Sequence, residues 1–133
     1  MTDRHINKDQ LPLSFGAFKP TGHVVLVYAD DRAPALTEAL RARGLAEADI
    51  VSMTSEEVAE RFKALLPDTS GASGFGSEIQ SMRQIYMLAL EGHGMAIVRV
   101  PDDRTRSHVV AVAQEHDAVL AKEYGRLTVE ELL

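Results

Sequence analysis

Five residues of this 133-residue chain have side chains suited to metal, ligand or proton chemistry and stand where elements begin or end. Asp30 and Asp31 follow an apolar run, His93 sits between two glycines, and His116 and Asp117 close a helical pattern. Two imidazoles with two or three carboxylates form a set for a first-row metal ion, a small ligand or acid–base work. A bland role stands beside each. The aspartates can cap a helix, His93 can be a turn residue, and His116 can sit at a helix end near its dipole. The five are scattered over almost ninety positions, so only the fold can gather them.

The elements that must position them are readable from apolar spacing. His23–Ala29 (HVVLVYA) is β-branched and nearly all apolar, the pattern of a central strand buried on both faces. A helix follows, with Pro34 in its first turn, Leu36, Ala39 and Leu40 as its stripe, and Gly44-Leu45 as a left-handed stop. Asp49–Met53 reads as a short second strand. Thr54 and Glu57 form a capping box for a second helix with Val58, Phe62, Leu65 and Leu66 inward and Pro67 as its end. After a glycine-rich loop (68–76), Ser77 and Gln80 suggest another capping box. The third helix carries Ile79, Met82, Tyr86, Ala89 and Leu90 and stops at Gly92. Met95–Val100 is a third strand. Asp102 or Asp103 caps a helix with Val109, Val110, Ala113 and His116 inward, and Ala118–Tyr124 is a half-exposed fourth strand carrying Lys122 and Glu123. Thr128 and Glu131 would cap a last turn.

The resulting order, β-α-β-α-α-β-α-β, predicts an α+β fold. Its expected form is a ferredoxin-like split β-α-β sandwich with a four-stranded antiparallel sheet and helices on one face. A helical insertion lies between strands two and three, and an all-parallel doubly wound sheet is the alternative. Residues 1–21, broken by Pro12, Gly16 and Pro20, read as an N-terminal arm, and 22–133 as a single domain. In the ferredoxin-like order the end of strand one lies between the starts of strands three and four. That brings Asp30, Asp31, His93, His116 and Asp117 to one edge of the sheet.

Other motifs carry less. The loop Gly71–Gly76 (GASGFG) opens a helix whose amides could cradle phosphate, but it follows no strand and lacks the P-loop lysine. A strand ending in Asp30-Asp31 is similar to a phosphoreceiver, yet the second strand ends Ser52-Met53-Thr54 and MAIVRVP lacks the lysine. No G-x-S-x-G nucleophile elbow is present. Arg41 and Arg43 suit a helix C-terminus, and His108 a solvated face.

Composition sets the outer bounds. With 45% hydrophobic and 26% charged residues the chain is ordinary for a globular protein. Twenty acidic residues against 14 basic give a net charge of −6, which disfavours nucleic-acid binding through the phosphate backbone. The absence of cysteine removes disulfides, thiolate metal sites and a thiol nucleophile. No apolar run approaches the ~20 residues of a membrane span. No secretory signal is read at Met1–His5, so the expected compartment is the cytoplasm.

Three stretches carry a family resemblance: Val24–Val51, with its helix ALTEALRARGL; Leu88–Gly92 running into Met95–Val100; and Glu115–Ala118. Over about residues 22–125 the chain resembles the bacterial general-stress family that carries a YflT-like domain. Asp117 stands where that family usually has glycine, and His93 interrupts a plain glycine-rich turn. The resemblance implies a ferredoxin-like fold and a stress link. It supplies no established reaction and no functional residues.

The leading expectation is thus a stress-related, non-catalytic module acting as a homodimer or through a protein partner, with Leu132 and Leu133 available for packing. A small-ligand or metal-binding domain using the Asp30/His93/His116 edge is the alternative, and an enzyme using that edge ranks last. The sequence names no cofactor.

Overall fold

The structure, a computed structural model, describes residues 22–65, 76–124 and 129–133. The expected arm (1–21), most of the glycine-rich loop and the Leu127–Thr128 region lie outside them, as do the side chains of Ser77 and Gln80.

Strand β1 (His23–Ala29) leads through a 3-10 turn at Asp30–Arg32 into α1 (Ala33–Ala42). Strand β2 (Ile50–Met53) is followed by α2 (Ser55–Leu65) and α3 (Gly76–Leu90). Then come β3 (His93–Arg99), α4 (Asp103–Glu115), β4 (Leu120–Tyr124) and β5 (Val129–Glu131). The expected element order holds, with β5 appended where a helical turn was expected at Thr128–Glu131. The strands make one sheet in the order β2-β3-β1-β4-β5. All four pairings are antiparallel, which excludes the parallel alternative.

The helices do not lie on one face. On one side Val25, Val27, Met95 and Ile97 of the sheet pack with Val58 and Phe62 of α2 and Met82, Ile85 and Ala89 of α3. On the other, Val24, Leu26, Tyr28, Ala96 and Val98 pack with Leu36 and Leu40 of α1 and Val109, Val112 and Ala113 of α4. The molecule is layered helix, sheet, helix. An uninterrupted apolar β1 and β3 require this, because both sides of each strand must leave water.

Local signals explain most boundaries. Thr54 Oγ1 accepts from Glu57 N at 3.2 Å and Glu57 Oε1 accepts from Thr54 N at 3.0 Å, completing the reciprocal box at the start of α2. Gly44, at φ +95°, ends α1, and Leu45 N–H bonds Leu40 O while its side chain packs on the core. Asp117, at φ +58°, plays the same part after α4, with Ala118 N–H on Ala113 O. Asp102 caps α4 by accepting from Thr105 N at 2.8 Å. That bond holds its carboxyl below the usual range. The capped state is thus favoured above the ordinary aspartate range and lost as pH falls through the lowered value.

Three packing details differ from the spacing-based expectation. In α3 Ile85 is buried beside Met82 and Ala89, while Leu90 faces outward. In α4 it is Val112 rather than Val110. Lys122, expected on a half-exposed strand, is only 8% exposed, because β5 flanks β4 and Lys122 Nζ donates to Gln84 Oε1 of α3 at 3.4 Å.

Candidate functional site

The end of β1 does lie between the starts of β3 and β4. Ala29 is opposite His93, Asp30 N–H donates to Gly92 O at 3.0 Å, and Val119 N–H donates to Val27 O at 2.8 Å. The five sequence-derived residues therefore share one end of the sheet. They do not share one surface. Strand alternation puts His93 on the α2–α3 side with Met95 and Ile97, whereas Asp30 reaches over Gly94 on the opposite side. His93 Nδ1 lies 3.1 Å from Leu88 O. A carbonyl only accepts, so Nδ1 carries the proton and the ring caps the end of α3. Asp117 pairs with Arg32 at 3.2 Å on the surface. Asp31 is exposed in the 3-10 turn, and His116 is half-buried at the C-cap just after α4. Among the described residues no group of three or more His, Cys, Asp or Glu is arranged to hold a metal ion.

Asp30 caps a helix, but not the one expected. The start of α1 has no side-chain cap. Instead Asp30 Oδ1 accepts from Ser55 N at 2.9 Å and Oδ2 accepts from Ser55 Oγ, so the carboxylate at the end of β1 caps α2 from across the sheet. β1 and β2 are both antiparallel to β3, hence parallel to each other, and α1 and α2 start at the same end. Asp30 ties these two junctions together. Asp30→Ala is expected to cost about 1 kcal/mol, the usual value of a lost cap, measured by urea unfolding.

Between those junctions lies a pocket of about 250 Å³ lined by Tyr28, Asp30, Ala33, Ser52, Met53, Thr54 and Glu57. Register explains the hollow. On the α1 side of the sheet, Tyr28 is opposite Gly94, and Leu26 and Ser52 are both opposite Ala96. Strand β3 thus presents a glycine and an alanine where its neighbours β1 and β2 present larger groups, and α1 begins above them with Ala33. Tyr28 is 1% exposed, and its hydroxyl has no hydrogen-bond partner among the described residues. A buried hydroxyl without a partner is costly, on the order of 1–3 kcal/mol. Such a group calls for an explanation, an ordered water or a ligand among them.

Burial first, and then the charge of Asp30, push the Tyr28 hydroxyl well above the usual tyrosine range. It stays a proton donor throughout the physiological range. The unfolded chain ionises first as pH rises past about 10, so stability falls above that pH. Tyr28→Phe is expected to flatten this alkaline loss, as read from urea midpoints between pH 8 and 11.

The residues that sequence reasoning missed are Tyr28, Ser52, Thr54 and Glu57. The available signals were a lone phenol in an aliphatic strand and a serine in a four-residue strand. The arginines expected at the end of α1 serve structure. Arg43 donates to Glu115 Oε2 at 3.0 Å and lies 3.3 Å from His108 Nδ1, and Arg41 pairs with Glu47 at 3.3 Å. No described helix is long and apolar enough to cross a membrane. No family model, curated protein or solved structure matches the chain.

Proposed function

We propose that the chain is a non-catalytic small-ligand-binding module whose site is the pocket between the ends of β1 and β2. The observation that carries this reading is that Tyr28, whose buried hydroxyl has no partner among the described residues, lines a pocket together with the polar residues Ser52, Thr54, Asp30 and Glu57. A few polar groups converging on a small concavity are what a ligand site requires. The two carboxylates serve as helix caps, which favours binding over proton transfer. The sheet order β2-β3-β1-β4 supports a ferredoxin-like description of the scaffold, and the family resemblance adds a stress context. The test is an amide NMR titration of the full chain with small polar fragments of positive, neutral and negative charge. At least one class should move the Gly94, Thr54 and Ser55 resonances saturably, and Tyr28→Phe should weaken that binding about tenfold. If no fragment moves them, the pocket is not a ligand site.

Self-association, or docking of a protein partner, is a second reading. It rests on Met87, Leu90, Val119 and Leu133, each more than half exposed. Edge-to-edge pairing is disfavoured, since β2 has four residues and β5 only three, two of them Glu130 and Glu131. Leu132 is half-buried on its own core, and its N–H bonds Ala121 O at 2.8 Å, so a dimer would use Leu133 without it. Light scattering of Met87→Lys/Leu90→Lys decides this. A wild-type dimer that becomes monomeric supports self-association, and a wild-type monomer ends that half of the reading.

A further inference from the structure

We infer that the pocket takes a small organic cation, a protonated primary amine carrying a hydrogen-bonding oxygen. This rests on the ligand-binding reading above and adds the chemical class. The lining holds two carboxylates, Asp30 and Glu57, and no Lys, Arg or His. Asp30 has no cationic partner among the described residues, and each of its oxygens accepts a bond from Ser55 while retaining a further lone pair.

An anion is the obvious rival, because two helices start here and helix starts attract anions. Four of their donors are already used. Ser55 N–H is bonded to Asp30, Glu57 N–H to Thr54 Oγ1, Thr54 N–H to Glu57, and Ala33 N–H to Asp30 O. The two carboxylates that accept these bonds, Asp30 and Glu57, both line the pocket. The charge of Asp30 is felt at the Tyr28 hydroxyl, where it opposes ionisation. An inorganic ion would want three or more ligands, and no such group of His, Cys, Asp or Glu occurs among the described residues. The Tyr28 hydroxyl is a donor in want of an acceptor, and Ser52 and Thr54 give and take hydrogen bonds. An amine with a neighbouring oxygen answers both halves of the site. The volume of about 250 Å³ equals roughly eight waters and falls short of the about 300–1,000 Å³ of drug-sized sites, so the cation is small.

The test uses three probes of one skeleton on the full chain: ethanolamine, ethylene glycol and glycolate, as cation, neutral molecule and anion. Amide shifts of Gly94 and Ser55 are followed at neutral pH. Ethanolamine should saturate them at least tenfold more tightly than ethylene glycol, with glycolate inert. Asp30→Asn, which keeps a capping oxygen, should reduce ethanolamine affinity about tenfold and leave ethylene glycol unchanged. Glu57→Gln should act in the same direction. Equal or tighter binding of ethylene glycol or glycolate overturns the cation class while the pocket stands as a site. Silence from all three overturns the amine assignment, and the broader fragment set then judges the pocket itself.

Discussion

Replacing Gly94 with alanine is expected to destabilise the protein by about 3 kcal/mol, the upper end of what overpacking usually costs. A Cβ there would lie 2.5 Å from Met53 O, 2.9 Å from Asp30 Oδ1 and 3.5 Å from Thr54 Cα. The glycine is required by close approach, since it sits opposite Tyr28 in regular strand pairing. Two of the three neighbours are backbone and cannot swing away, so β2 must shift from β3, and the Asp30 carboxylate must also give way. The two contributions separate in a double-mutant cycle with Asp30→Ala. Part of the cost should vanish in that background, with the Met53 part remaining. An alanine variant as stable as the parent in urea would mean that the β1–β2 junction is looser than these distances require.

Phe62→Ala is expected to cost about 4 kcal/mol, near the middle of the range for deleting a buried ring. Phe62 is fully buried among Val58, Met82, Ile85, Met95 and Ile97. None of these belongs to a mobile surface group able to close the void, so a cavity should persist. The melting temperature should fall by roughly 10–15 °C. Phe62 lies on the opposite side of the sheet from the pocket, so a Phe62→Leu variant that stays folded should retain wild-type binding at Tyr28. Loss of binding in that variant would mean that the two helical layers are energetically coupled through the sheet.

Local grammar made much of this fold legible. The Thr54–Glu57 box and the Gly44 stop are decided within a few residues, and both stand in the structure. The run His23–Ala29 announced a strand buried on both faces. The same fact implied helices on both faces, which the ferredoxin-like expectation passed over. In α3, Tyr86 and Leu90 fit an apolar stripe as well as Ile85 does, and only packing on α2 and β3 distinguishes them. The site was harder to read. Asp30 beside a helix start looks like that helix's cap, yet α1 opens through a 3-10 turn and the carboxylate crosses to Ser55, 25 positions away. Strand order alone groups the Asp/His edge, whereas strand parity puts His93 and Asp30 on opposite sides of one sheet. Tyr28 gave little warning, because a tyrosine in a core strand ordinarily finds a partner for its hydroxyl.

The central claim is that the Tyr28 hydroxyl is completed by a bound organic molecule. A crystal structure of the protein soaked separately with ethanolamine and with ethylene glycol tests it most directly. The expected result is density for one of them within hydrogen-bond distance of Tyr28 Oη, with the amine of ethanolamine turned to Asp30. Density for water alone at Tyr28 Oη in both soaks, or a Tyr28 hydroxyl bonded to its own chain, would contradict it.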